Sequence, residues 1–198
     1  MKLPADSPLR SPSLVAIFAI TFLVALSFDL WSKWYAFKTL PLPGTPEASV
    51  PRTVEDHFIP NVLDFVLMRN YGAVFGIGQG QVPLFIAVSV LAFGFILYLF
   101  ATSPRRWWMS VMYGLLMAGV LGNFYDRIVH GYVRGMLYLF PDVPNPLARF
   151  IPSWNTLWPW IFNMADVYLC VGVTALAVVI LFTPQKKPAD TAREPVNG

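Results

Sequence analysis

The stretch Gly122-Asn-Phe-Tyr-Asp-Arg-Ile-Val-His-Gly-Tyr-Val-Arg-Gly-Met-Leu137 directly follows an apolar run that begins at Trp107. It brings a carboxylate, Asp126, and a guanidinium, Arg127, to the predicted rim of a membrane span. Ionisable groups at such a position are costly in lipid and face a bundle interior or a wet cavity. The stretch therefore predicts a polar site at one end of a helical membrane bundle.

The composition indicates a membrane protein without metal or nucleic-acid chemistry. Of 198 residues 56% are hydrophobic, and the mean hydropathy is +0.56, which is too apolar for an ordinary soluble domain. The net charge of +3 comes without a basic patch interleaved with aromatics, so no nucleic-acid partner is expected. The single cysteine, Cys170, builds no disulfide and is predicted to be a small buried hydrophobe. His57 and His130 lack a metal-ligand spacing, so no metal or other cofactor is expected.

Four segments are apolar enough to span a bilayer, which takes about 20 residues of helix. They cover about 14–30, 83–101, 107–122 and 160–182, and the seven tryptophans lie near their ends, as indole rings prefer the headgroup layer. The first segment continues into Asp29-Leu-Trp-Ser-Lys33 without a small-x-small cleavage site, so it is predicted to remain as a helix.

The density of basic residues predicts the orientation of the spans. The tails and the short link at 102–106 are dense in Lys and Arg, which favours cytoplasmic termini. We expect cytoplasmic tails at 1–13 and 184–198, the latter disordered, on one integral membrane domain at 14–183. Residues 61–69 predict a strand and 132–140 a second strand or short helix. The predicted fold class is an all-α membrane protein, a four-transmembrane-helix bundle with a small extracytoplasmic β-sheet and loop.

Small residues recur on the third span at a spacing that favours close helix packing. Gly114, Ala118 and Gly122 lie four residues apart, so they share a face on which a neighbouring backbone can approach closely. This pattern predicts a tightly packed bundle.

Polar residues gather at the outer ends of the third and fourth spans. Asn123, Asp126 and Arg127 come from the third; Asn163 and Asp166, three apart on one helix face, come from the fourth. Asp166 is predicted to lie about two turns inside its span. An ion pair that fixes helix register, a proton relay in a transporter and a hydrolytic site all remain open. The hydrolytic site is favoured, because no polar residues continue toward the cytoplasmic half of these spans.

Hydrolysis at such a site would rest on carboxylates. Two close aspartates share a proton, so one takes a proton from water while the other donates to the carbonyl oxygen. No Gly-x-Ser-x-Gly or His-Glu-x-x-His stretch competes for the role.

Four blocks along the chain resemble the lipoprotein signal peptidases (signal peptidase II, prolipoprotein signal peptidase). Asp29-Leu-Trp-Ser-Lys33 resembles the family's Asp-x-x-x-Lys, and Asn70-Tyr-Gly-Ala-Val-Phe75 its Asn-x-Gly-x-x-Phe. Gly122-Asn-Phe-Tyr-Asp-Arg127 matches Gly-Asn-x-x-Asp-Arg, and Phe162-Asn-Met-Ala-Asp166 matches Phe-Asn-x-x-Asp. The blocks occur in the family's order and cover nearly the whole chain.

The resemblance implies an aspartic endopeptidase of the bacterial inner membrane, for which a monomer suffices. It would remove signal peptides from prolipoproteins before a diacylglyceryl-modified cysteine, with membrane lipid as its surroundings. Asp166 would be one catalytic aspartate. The resemblance implies substrate-binding or site-organising roles for the remaining polar residues, Asn70, Asn123, Asp126, Arg127 and Asn163.

One family position departs from the pattern. The second catalytic aspartate of the family stands nine residues after the aspartate of Gly-Asn-x-x-Asp-Arg, and that position is Gly135 here. Three interpretations stay open: a non-catalytic relative that binds lipidated peptides, an enzyme in which Asp142 or Asp126 supplies the second carboxylate, and an otherwise working enzyme with a substituted position.

Overall fold

The computed structural model describes residues 4–41, 58–72, 78–141, 143–150 and 156–182. Four helices dominate it: α1 (Pro12–Thr39), α2 (Val82–Thr102), α3 (Trp107–His130) and α4 (Met164–Phe182). Three strands, β1 (Leu63–Asn70), β2 (Val133–Leu139) and β3 (Ile161–Phe162), form a small sheet. The predicted combination of a helical bundle with a small sheet is confirmed at this level.

Helix α3 is the centre of the bundle and packs against α1, α2 and α4. Thirteen of its 24 residues are buried, against four of 28 in α1. The main core cluster forms where Met112, Leu116 and Met117 of α3 meet Ile96 and Phe100 of α2. Because the other helices surround it, α3 has little surface left to face lipid.

Three helices, α1, α2 and α4, are long and apolar enough to cross a membrane. Helix α3 is long enough to cross a membrane, but its mean hydropathy is too low for it to count as a candidate span among the described residues. Its buried face holds Ser110, Asn123 and Asp126, which lower the average. A central helix can carry such residues because its neighbours shield them.

The small residues of α3 lie where neighbouring helices come closest. A Cβ added at Gly114 would lie 2.9 Å from the Phe18 carbonyl oxygen of α1. One added at Gly122 would overlap the carboxylate of Asp29, and Ala118 between them is fully buried. The prediction of close packing on this face is confirmed.

The sheet is antiparallel in the order β1-β2-β3. Both predicted strand regions are strands, with Leu63 opposite Leu139 and Asn70 opposite Val133, and the register shifts between Phe65 and Met68. β3 was not expected, because its two residues were assigned to the fourth span. Its pairing with β2 brings the start of α4 beside the end of α3.

Several helix ends differ from the prediction. Helix α1 runs on to Thr39 and α3 to His130, so Lys33 and Asp126 lie inside helices rather than beyond them. Helix α4 begins at Met164, so Asp166 is in its first turn. The prediction that Asp166 lies about two turns inside the helix is wrong. The reason is local: β3 takes the residues before Asn163, and Asn163 then caps the helix.

Candidate active site

The start of α4 holds Asp166 through a reciprocal capping pair. The backbone N–H of Asp166 donates to Oδ1 of Asn163 at 3.0 Å, and that of Asn163 donates to Oδ2 of Asp166 at 3.1 Å. Each side chain satisfies a backbone donor that a helix start leaves unpaired. The Asn-x-x-Asp spacing thereby fixes the orientation of the carboxylate.

Asn123 connects this carboxylate to α3. Its Nδ2 donates to Oδ1 of Asp166 at 2.8 Å, while its Oδ1 accepts from Asn163 Nδ2 at 3.2 Å and Lys33 Nζ at 3.1 Å. The predicted meeting of Asn123, Asn163 and Asp166 is therefore observed. The Asn123 amide thus links α3 to Lys33 of α1 and to Asn163 and Asp166 at the start of α4.

A fully buried ion pair from α1 lies behind these residues. Lys33 Nζ lies 2.7 Å from Asp29 Oδ2 and 3.3 Å from Asp126 Oδ2, and all three side chains have no solvent exposure. The other oxygen of Asp29 accepts from the Ala165 backbone N–H at 2.8 Å. Charges buried this deeply require such pairing, since an unpaired one would be strongly destabilising.

Arg134 of β2 is the second cation on Asp126. Its Nε and Nη2 lie 3.0 and 2.8 Å from Asp126 Oδ1, and its backbone N–H donates to Oδ2 at 2.9 Å. Its carbonyl accepts from Asn163 Nδ2 at 3.1 Å. Asp126 thus faces two cations and an amide, which leaves it poorly placed to act as a proton donor.

Arg127 occupies a different environment from Lys33 and Arg134. Its Nη1 donates to the Asn123 carbonyl at 3.3 Å and its Nη2 to the Gly72 carbonyl at 3.1 Å, and it lies over the ring of Phe85. Asp126 forms its ion pairs with Lys33 and Arg134, and not with its chain neighbour Arg127. The reason is that consecutive helical residues project in different directions.

A cavity of about 410 Å³ opens between α2, α3 and α4, below the sheet. Its polar end is lined by Asn70, Asn123, Arg127 and Asp166. Its body is apolar, and its lining includes Phe85, Val88, Ala92, Val120, Trp158, Trp160, Ile161 and Leu169. Apolar cavities with a few convergent polar groups are the usual form of a small-molecule or lipid site.

Gly135 of β2 lies next to Ile161 of β3. A Cβ built there would be 3.2 Å from Cγ2 and 3.3 Å from the carbonyl oxygen of Ile161. Ile161 itself lines the cavity. The first atom of a side chain at 135 would thus be in tight contact with this isoleucine.

The structure brings together most of the predicted site residues. Asn70 lines the cavity rim, where its Oδ1 accepts from the Gly72 backbone N–H at 2.9 Å. Asp142 lies outside the described residues. The expectation of a buried Cys170 is wrong: the thiol is exposed and lines the cavity, because α4 packs against the bundle mainly through other residues.

Sequence reasoning missed three members of the polar cluster. Asp29 and Lys33 were quoted only as a family block, although their spacing of four on a helix predicts an ion pair. The role of Arg134 could not be predicted, because the sequence around it does not indicate that an arginine on a strand contacts Asp126 of a helix.

Comparison with known proteins identifies the class of the chain. A family model described as signal peptidase (SPase) II matches residues 21–182. A lipoprotein signal peptidase of Streptococcus agalactiae serotype V is 31% identical over 165 residues, or 83% of this chain and 91% of the relative. One of Fusobacterium nucleatum subsp. nucleatum is 28% identical over 173 residues, or 86% and 90%.

A solved structure is similar in fold. It is described as a bacterial membrane enzyme determined by the in meso method at 2.3 Å resolution, and it superposes with a TM-score of 0.63 at 25% identity. The match covers 86% of this chain and 93% of that one. The fold and these comparisons thus define the class, a multi-pass bacterial membrane protein related to peptidases. The chain belongs to the lipoprotein signal peptidase family, as its four sequence blocks predicted.

Proposed function

We propose that the chain is an aspartic endopeptidase that removes signal peptides from prolipoproteins before a diacylglyceryl-modified cysteine. Family membership supports a prolipoprotein substrate and a membrane setting. In this proposal all four helices cross the bacterial inner membrane, both termini are cytoplasmic and the sheet is extracytoplasmic. A monomer contains every described group that the site uses.

The observation that carries the proposal is the shape and polarity of the cavity. Its polar end contains Asp166, and its apolar body continues between α2 and α4. Acyl chains would occupy the apolar body, and the peptide bond next to the lipidated cysteine would lie at the polar end. Asn70, Asn123 and Arg127 offer hydrogen-bonding groups to the peptide there.

Asp166 is the group that would take a proton from water. Its carboxylate is partly exposed to the cavity, and its two oxygens each accept one hydrogen bond, from Asn123 and from the Asn163 backbone. A carboxylate has about four acceptor positions, so two are left for a water molecule. The capping pair holds it at a fixed angle to the substrate.

A second candidate is a non-catalytic relative that binds lipidated peptides. It is favoured by the glycine at 135, where any side chain would be in tight contact with Ile161. Asp126 is an unfavourable second acid, since it is paired with Lys33 and Arg134. Under this candidate the cavity retains the lipopeptide intact.

One experiment separates the two candidates. The purified full chain in lipid is given a diacylglyceryl-modified prolipoprotein, and both cleavage and binding are followed. We expect cleavage that falls by about 10²–10⁴-fold in Asp166→Asn, as for loss of a positioned general base, with binding retained. Asp6→Asn, an exposed aspartate of the N-terminal segment, serves as the control. Binding without any cleavage by the unaltered chain would establish the non-catalytic candidate.

A further inference from the structure

The cavity combines a single carboxylate with a single cation. Among the described residues Asp166 is the only acid that lines it and Arg127 the only basic side chain. Asp29 and Asp126 are fully buried in ion pairs behind it. A reaction in this cavity therefore has one base available and, in place of a second acid, a guanidinium.

Arg127 differs from the other two cations of the cluster in what it binds. Lys33 and Arg134 are held by carboxylates at 2.7 and 2.8 Å. Arg127 donates to two backbone carbonyl oxygens and, in the part of the chain that the structure describes, makes no ion pair. Its guanidinium has five N–H groups, so donors remain beyond these two bonds. It already binds neutral peptide carbonyls, which is the kind of group a substrate would present.

We propose that Arg127 replaces the second acid of the reaction, polarising the scissile carbonyl while Asp166 alone transfers the proton. This inference rests on the proposed peptidase function. Cations aimed at an oxygen that becomes negative are among the largest contributions to catalysis in a water-poor site. Lys33 and Arg134 keep Asp29 and Asp126 neutralised, so the charge of Arg127 remains directed at the cavity.

The step balances with water as the only co-reactant. The Asp166 carboxylate takes a proton from water as the water oxygen bonds to the carbonyl carbon. The carbonyl electron pair moves onto its oxygen, which becomes an oxyanion beside Arg127. When the carbonyl re-forms, the C–N bond breaks, and the proton on Asp166 passes to the leaving nitrogen. Asp166 returns to a carboxylate, and the products are a carboxyl group and a free amine.

A mechanism with one carboxylate and one guanidinium predicts how kcat depends on pH. The charged and titratable groups around Asp166 or in its cavity are Lys33 from α1, Arg127 from α3 and Cys170 from its own helix. Among the described residues that line the cavity, α2 and the three strands add no charged or titratable side chain. Because guanidinium stays charged throughout the working range, no second carboxyl must be protonated. We expect kcat to rise as Asp166 ionises and then to stay level through neutral pH. A pair of catalytic carboxylates would instead give a bell-shaped dependence of kcat on pH.

Substitution of Arg127 tests the inference directly, in the full chain with the lipidated prolipoprotein. Arg127→Gln should lower kcat by about 10²–10³-fold with little change in KM, as for loss of an oxyanion donor. Arg127→Lys keeps the charge and should recover part of the rate. Arg149→Gln, at an exposed arginine that does not line the cavity, is the matched control and should leave kcat unchanged. Retained binding of uncleaved lipopeptide by Arg127→Gln verifies that it folds.

Three outcomes would overturn the inference. One is a raised KM with unchanged kcat in Arg127→Gln, which would reduce Arg127 to holding substrate. Another is a loss in Asp142→Asn as large as that in Asp166→Asn, which would identify a second carboxylate. The third is a bell-shaped profile at acidic pH. All three leave the peptidase intact, whereas no cleavage by the unaltered chain removes the proposed function as well.

Discussion

Arg134 and Gly135 are neighbours on β2, and alternation along a strand directs their positions to opposite faces. The Arg134 side chain reaches Asp126, while a side chain at 135 would point at Ile161. Arg134 also changes the charge balance of the cluster. Two of the acids in the cluster, Asp29 and Asp126, form ion pairs with Lys33 and Arg134.

The packing around Gly135 predicts how a second acid could be introduced. In Gly135→Asp the new Cβ crowds Cγ2 of Ile161, so we expect little gain in cleavage. Ile161→Ala removes that atom and leaves the backbone carbonyl oxygen of residue 161, at 3.3 Å, as the nearest contact. In the double variant Gly135→Asp with Ile161→Ala we expect kcat to rise by about 10²-fold, the lower range for a positioned acid. The measurement is kcat against pH, which should become bell-shaped.

The matched control for this pair is Gly135→Asn with Ile161→Ala. It has almost the same shape as the aspartate variant but no titrating proton, so its rate should stay near that of the unaltered chain. An equal gain in both double variants would mean that cavity size, and not the acid, limits the reaction.

At the scale of elements, the site forms where the start of α4 packs closely against α3. The capping pair orients Asp166 at the start of α4, and the glycines of α3 let that start come close. A Cβ at Gly119 would lie 2.7 Å from the Ala165 carbonyl oxygen, next to the capped turn. Because α3 is buried on several sides, any added volume there moves a neighbouring helix.

Gly122→Ala should both destabilise the bundle and impair the site. The added methyl overlaps the Asp29 carboxylate, which accepts from Ala165 and pairs with Lys33. Overpacking of this kind typically costs about 1–3 kcal/mol. Thermal unfolding in detergent should show a lower midpoint, and kcat should fall because Asp166 follows Ala165 directly.

Gly94→Ala on α2 is the control for this effect. A Cβ at Gly94 meets nothing within 4 Å, and alanine favours helix more than glycine does. The midpoint should be unchanged or slightly higher. Equal losses in the two variants would indicate that glycine is needed for reasons other than packing.

At the scale of the whole molecule, the cavity lies between α2, α3 and α4, below the sheet. The sheet joins β1 and β2 above the bundle, and β3 leads directly into α4. The polar cluster lies at the junction, where its charges are away from the apolar outer faces of α2 and α4. This arrangement fits a substrate that is lipid at one end and peptide at the other.

Filling the apolar body of the cavity should weaken substrate binding without altering the chemistry. Ala92 of α2 lines the cavity, so Ala92→Phe takes space that the acyl chains would use. We expect KM to rise about tenfold, on the order of 1.4 kcal/mol, with kcat nearly unchanged. Leu91→Phe, at an outward position that is 73% exposed, should change neither.

The sequence alone was enough to predict the helical bundle, the two longer strands, and the meeting of Asn123 and Asn163 with Asp166. Apolar run length, strand composition and helical spacing carry that information, because each depends on residues near one another in the chain. The four sequence blocks that resemble the lipoprotein signal peptidases predicted the family to which the chain belongs. The same patterns misplaced the ends of α1, α3 and α4, since caps and strand pairing decide where a helix ends.

Only the tertiary structure decided which charges pair and which face the cavity. Asp29 binds the backbone of Ala165 across 136 residues of chain, and Asp126 takes Lys33 and Arg134 rather than its neighbour Arg127. The tight contact of position 135 with Ile161 likewise depends on how β2 and β3 come together in the sheet. Such contacts depend on how helices and strands pack in three dimensions, and no local pattern of residue types encodes the choice of partner.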